Sequence, residues 1–96
     1  MADIQVGNTK VFTIPANDET KLVFPSFIQH FSINSLSLAN DIYFRYDNVD
    51  AVVGNAENLV MDSSIAGYTG LYRKTAIPYV SIITDTESQI ILYNLH

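Results

Sequence analysis

Val80-Ser81-Ile82-Ile83-Thr84, then Asp85-Thr86-Glu87-Ser88, then Gln89-Ile90-Ile91-Leu92-Tyr93-Asn94-Leu95 is the stretch on which the fold turns. Two β-branched and aromatic runs around a short polar loop predict a β-hairpin. Side chains alternate across a strand, so Ile90 and Leu92 share one face of the second run and Ile91, Tyr93 and Leu95 share the other. A small antiparallel domain buries one face of a sheet and wets the other. The second apolar face therefore calls for another sheet, a loop or a neighbouring subunit.

The rest of the chain repeats this short-strand pattern. Residues 1–9 have no clear period, and Ile4 and Val6 either start a strand or form an N-terminal arm that pairs with a neighbour. Lys10 to Ile14 alternates, with Phe12 and Ile14 on one face, and Pro15 stops it. Thr20 to Phe24 is a second strand, with Leu22 and Phe24 inward and Pro25 at its end. In Ile28 to Leu38 the apolar phase slips by one near Asn34-Ser35, which a β-bulge or a break in the strand would repair. Ile42, Phe44 and Tyr46 point inward, against Tyr43 and Arg45 outward. Asp47 to Ala66 is irregular, with a short strand at Asn58 to Met61 or a helical turn at Asn55 to Met61, and loops of that length are often functional. Tyr68 to Lys74 is a strand with Tyr68, Gly70 and Tyr72 on one side. About seven short strands, with turns every 8–12 residues or so, predict an all-β fold, a small antiparallel β-sandwich or a jelly-roll-like barrel.

Composition narrows the function classes. Ninety-six residues are expected to make one domain, residues 1–96. Ten acidic against five basic residues give a net charge of −5. Cations are scattered, with only Arg73-Lys74 adjacent, so nucleic acid and an anionic membrane are not expected as partners. The absence of cysteine excludes disulfides, thiolate nucleophiles and zinc–cysteine sites. The N-terminus shows no signal-peptide pattern, and no apolar run approaches the roughly 20 residues of a membrane helix. The chain is expected to be made in a cytoplasm and to stay soluble.

Catalytic patterns are not evident. His30 and His96 are the two histidines; His30 reads as a structural strand residue and His96 as a fraying terminus. No G-x-S-x-G elbow accompanies the serines. Asp47, Asp50 and Asp62 are possible paired carboxylates, but they read as loop residues capping backbone N–H groups. Asp47-Asn48-x-Asp50 lacks the glycine and distant glutamate of a calcium loop. Tyr43, Tyr68, Tyr72 and Tyr79 suit packed strand positions better than a sugar-stacking platform. Gly67-x-x-Gly70 reads as tight turning, not as a phosphate loop. No enzyme activity, metal or cofactor is expected.

From Thr20 onward the order of features is familiar: Phe24-Pro25, Phe31-Ser32-Ile33-Asn34-Ser35, Asn40-Asp41-Ile42-Tyr43-Phe44-Arg45, a loop with Asn55-Ala56, Ile65-Ala66-Gly67-Tyr68, Val80-Ser81-Ile82-Ile83 and Gln89-Ile90-Ile91-Leu92. This order resembles the small β-sandwich accessory proteins of tailed-phage virions, found on capsids, necks and tails. The matching residues specify strand edges and turns rather than chemistry. The resemblance implies a non-enzymatic virion structural protein, a capsid decoration (cement) protein that binds the major capsid protein and stabilises the shell, with trimers as the family's common form. A neck or tail component is the alternative within that class, and a carbohydrate-binding module the alternative outside it. The subunit surface is expected at Ile91, Tyr93 and Leu95 with Tyr79 and Ile83 nearby. Capsid contact is expected from the N-terminal arm (Ile4, Val6) and the long loop (Val52, Val53, Leu59, Met61).

Overall fold

The computed structural model of the chain describes residues 2–7 and 10–96. Nine strands build two sheets: β1 Ala2–Gln5, β2 Val11–Ile14, β3 Thr20–Val23, β4 His30–Ser35, β5 Ile42–Arg45, β6 Leu59–Met61, β7 Gly67–Tyr72, β8 Tyr79–Thr84 and β9 Ser88–Tyr93. One sheet has the order β1-β3-β8-β5-β6 and the other β2-β9-β4-β7. From β2 to β9 this is a jelly roll, in which consecutive strands change sheet at every step except β5 to β6. The count exceeds the expected seven by β1 and the three-residue β6, which correspond to the strand start at Ile4 and Val6 and the short strand at Asn58 to Met61 that the sequence offered as alternatives.

The expected terminal hairpin is not formed. β8 sits between β3 and β5 in the five-stranded sheet, and β9 sits between β2 and β4 in the other. The polar segment between them carries the chain from one wall of the sandwich to the other. Buried Thr84 and Ser88 hold this arch from inside: Ser88 Oγ donates to Thr86 O at 2.6 Å, and Thr84 Oγ1 lies 3.0 Å from Asp41 O. The inward rows Val80–Ile82 and Ile90–Leu92 thus line opposite walls of one core. Both are fully buried, and taking each large side chain out of water contributes about 1.5–3 kcal/mol.

The N-terminal segment is not a free arm. β1 pairs with β3 in parallel, Ile4 opposite Leu22, and Val6 N–H donates to Val23 O at 2.7 Å. The sheet is therefore mixed rather than wholly antiparallel. Met1, Asn8 and Thr9 of the expected arm lie outside the described residues.

The apolar slip after Ser35 is a strand end and not a bulge: β4 stops there, leaving Leu36 and Leu38 exposed. A bulge does exist, one strand away. Phe31 pairs with Leu71 and Ile33 with Tyr68, so β7 carries one residue more than β4 across that interval. Gly70 supplies the left-handed conformation this needs (φ +68°), and its N–H reaches Ser32 Oγ at 3.1 Å. Tyr68 therefore packs inward, edge-on to Phe44, while Tyr72 points out beside His30, although strict alternation had placed both tyrosines on one side. Gly67 also lies within β7 rather than in a turn, pressed against β4: a Cβ there would collide with Ile33 O.

Candidate functional site

The two outer faces of the sandwich are treated differently. On the five-stranded sheet, the segment joining β5 to β6 folds back over β3 and β8. Ala51 N–H donates to Ser81 Oγ at 2.9 Å, and Ser81 in turn donates to Glu19 Oε2. Tyr79 Oη bonds Asn48 Oδ1 at 3.1 Å. Lys21 pairs with Asp50 at 3.6 Å and lies 5.0 Å from the centre of the Tyr79 ring. Burial alone would lower the Lys21 pKa, but the carboxylates of Asp50 and Glu19 outweigh it and leave the ammonium more basic than usual. Ser81 and Ala51 are buried as a result, so a loop of the chain itself covers part of this face.

Nothing among the described residues comparably covers the outer face of the four-stranded sheet. Register places Val11, Ile91 and Asn34 side by side across β2, β9 and β4, and Tyr93 beside Ser32. Leu36 N–H extends the ladder to Gln89 O at 2.8 Å. Val11 and Leu36 are exposed, while Ile91 and Tyr93 are half-buried. At the far end the His30 ring stacks on His96, centroids 4.9 Å apart. His96, expected as a fraying terminus, is hydrogen-bonded to β4 and the residue before it: its backbone oxygen accepts the N–H groups of Gln29 and His30.

The expected interface therefore divides. Ile91 and Tyr93 stand together on the four-stranded sheet. Tyr79 and Ile83 belong to the opposite outer face, because β8 and β9 lie in different sheets. Leu95 leaves the set because Asn94 takes a left-handed turn (φ 53°), after which Leu95 packs on the core. Among the expected capsid contacts, Val6 is 4% exposed and Met61 0%, so both are core residues. Ile4 and Leu59 also pack against the core. Val52 (54% exposed) and Val53 remain at the loop tip, as does the exposed Val49.

The carboxylates do not converge. Asp50 is held by Lys21, and Asp62 caps its own turn by accepting the Ser64 and Ile65 N–H groups at 2.8 and 3.0 Å. Those bonds lower the Asp62 pKa, the Ser64 hydroxyl contributing most. Asp47 instead faces Arg45, whose Nε donates to Oδ1 at 3.0 Å and Nη2 to Oδ2 at 2.5 Å, while Nη1 reaches Glu57 at 3.3 Å. Arg45 thereby pulls the Asp47 carboxyl below the usual range. Among the described residues no group of three or more His, Cys, Asp or Glu side chains could hold a metal ion, and no helix is long and apolar enough to cross a membrane.

Arg45, Asp47 and Glu57 form one wall of a pocket of about 390 Å³, completed by Phe44, Tyr46, Leu59, Tyr72, Lys74 and Ile77. It lies where the β7–β8 connection passes beneath the end of β5. Arg73, fully buried, fixes that corner. Its guanidinium donates to Ile77 O at 2.9 Å, Lys74 O and Pro25 O at 3.3 and 3.2 Å, and Ile28 O, with the Phe24 ring 5.4 Å away. Burial pushes its pKa down. Two loops are thus tied to one cation. The same end carries Phe27, which at 78% exposure is the most exposed large apolar side chain described. Sequence reading singles out none of the pocket's rim as a group, because the residues come from three separate segments. The one available signal was Arg73, a cation that follows β7 in the same strand phase as the half-buried Leu71. No protein-family model, curated protein or solved structure matches this chain.

Proposed function

We propose that the chain is a non-enzymatic structural protein of a tailed-phage virion, a capsid decoration protein that associates with copies of itself and stabilises an assembled shell. The observation that carries the association is the asymmetry of the two outer faces: a loop covers part of one, and on the other Val11 and Leu36 stand exposed near the half-buried Ile91 and Tyr93. Contiguous apolar surface of this kind, on a strand with no charged side chain among Ser88–Tyr93, favours burial against a partner. The jelly roll itself is shared by capsid and lectin domains, so it agrees with the proposal by analogy without selecting it. In this proposal three copies meet through the four-stranded sheet, and the Val49–Val53 tip turns to the major capsid protein. A shell-binding protein stabilises by linkage, because it binds the assembled state better than loose subunits.

Light scattering over roughly 1–100 μM protein, a range that spans micromolar Kd values, tests the association. A trimer is expected, with Ile91→Asp and Tyr93→Asp monomeric and normally folded. A monomer at every concentration overturns self-association through this face. A hexameric or larger ring moves the protein to the neck or tail.

A further inference from the structure

We propose that the pocket at the Arg73-pinned end of the roll binds a neutral saccharide of one or two rings. Its volume, about 390 Å³, lies at the small end of the roughly 300–1,000 Å³ typical of ligand pockets. Formal charges in the lining cancel: Arg45 and Lys74 against Asp47 and Glu57. They are not equivalent toward a ligand, however. Arg45 already has Nε, Nη1 and Nη2 engaged with the two carboxylates, so it offers little to an incoming anion. An anion would instead meet both carboxylates at close range. A purely apolar ligand would cover the half-buried Leu59 and Ile77 but strip water from the charged rim without replacing its hydrogen bonds.

A saccharide answers each of these features. Its hydroxyls donate to the free lone pairs of Asp47 and Glu57, and its oxygens accept from the Lys74 ammonium. The C–H face of a pyranose packs on an aromatic ring, and Tyr72, 53% exposed, presents one at the rim. The acceptors are held in advance, Asp47 by the two-nitrogen Arg45 clamp and the Lys74–Ile77 wall by Arg73. Such pre-organisation lowers the ordering cost of binding. The remaining tyrosines form no row on either outer face, so the site is this single pocket and not a stacking platform. Most of its lining lies away from the Ile91–Tyr93 surface, but Tyr72 also belongs to the outer face of the four-stranded sheet, beside His30.

The test is a titration of ¹⁵N-labelled protein, followed by amide shifts, with glucose, galactose, mannose, N-acetylglucosamine, maltose and lactose. Glucuronate serves as the anionic control and phenylalaninamide as a mimic of a partner's aromatic side chain. Concentrations on the order of 10 mM cover Kd values near 1 mM. Saturable shifts confined to Asp47, Glu57, Leu59, Tyr72 and Lys74 are expected with at least one neutral sugar, and glucuronate is expected to bind about tenfold more weakly. Tyr72→Ala is expected to weaken binding about tenfold and Glu57→Gln severalfold, both with an unchanged melting curve, since both side chains are exposed. Absence of saturable shifts with every sugar, preference for glucuronate, or indifference to Tyr72→Ala in a folded protein overturns the proposal. Saturation by phenylalaninamide instead also overturns it, and makes the pocket a socket for a protein side chain.

Discussion

Arg73→Met isolates the device that fixes the pocket corner. Each hydrogen bond from a charged donor contributes about 1.5–3 kcal/mol net, and the guanidinium makes four, to Pro25, Ile28, Lys74 and Ile77. They are not additive: two nitrogens serve four carbonyls, and only the bond to Ile28 is fully buried, so water can recover part of the others. Methionine also refills the side-chain stem and removes a charge that burial disfavours. The expected loss is about 2–4 kcal/mol, most of it from the Ile28 carbonyl and the second loop. For a chain of this length that is a fall in Tm of roughly 10–30 °C. Urea unfolding followed by tyrosine fluorescence reads the free energy, with Arg73→Lys expected in between, because an ammonium keeps the charge but cannot span both loops. Native-state exchange should accelerate selectively at the backbone amides of Ile28 and Ile77. A methionine variant within about 0.5 kcal/mol of the parent, the usual range of an inconsequential substitution, would refute the claim that these carbonyls depend on Arg73.

Two glycines separate crowding from backbone strain. Gly67→Ala drives a Cβ into Ile33 O and Asn34 Oδ1, whereas Gly70→Ala meets open space but must hold φ +68°. About 1–2 kcal/mol is expected at Gly70 and more at Gly67, and the reverse order in urea midpoints would contradict the assigned roles. Asp47 supplies the pH dependence. Its folded pKa lies below the unfolded value of about 3.9, so its contribution is complete above that pH and lost as pH falls through the folded value. Surface screening keeps the effect on stability small, so the measurement is the Asp47 carboxyl shift by NMR. Its inflection should lie below the ordinary carboxylate and return toward it in Arg45→Gln, and an inflection that ignores Arg45→Gln would exclude the clamp.

The strand faces were legible because alternation needs no partner. Phe12 and Ile14, Leu22 and Phe24, and Ile42 and Phe44 point inward whichever sheet receives them. The pairing was not legible for the same reason. β8 and β9 have identical inward rows whether they lie side by side or in opposite walls, and a polar turn of this length serves either arrangement. Two single residues then broke the extrapolation. Gly70 inserts a bulge that turns Tyr68 and Tyr72 to opposite faces, and Asn94 rotates Leu95 into the core, whereas the end of β4 at Ser35 is one of the two readings the phase slip had offered. Because sheet assignment decides which outward residues are neighbours, the interface built from Tyr79, Ile83, Ile91 and Tyr93 could not survive as one surface. The pocket depends on the same information, since its rim comes from both sheets and two connections.

The β5–β6 connection links all of these surfaces. It covers β8 through Ala51 and Asn48, lends Asp47 and Glu57 to the pocket, and exposes Val52 and Val53 at its tip. Ala51→Asp should detach the cover and spare the roll, because it sets a carboxylate where Ala51 packs, beside the Glu19–Ser81 hydrogen bond. The core contacts of β8 point the other way, through Val80 and Ile82, and do not depend on the loop. A local opening of about 1–3 kcal/mol follows from the buried like charge and the lost Ser81 bond. The opened state exposes Tyr79, so the variant should associate through the five-stranded sheet more readily than the parent. Exchange protection would fall at Ala51 and Asn58 while the β4 and β9 amides keep theirs. If the whole sandwich instead lost protection together, the loop would be part of the cooperative unit, and the difference between the two outer faces could not arise from a separable cover.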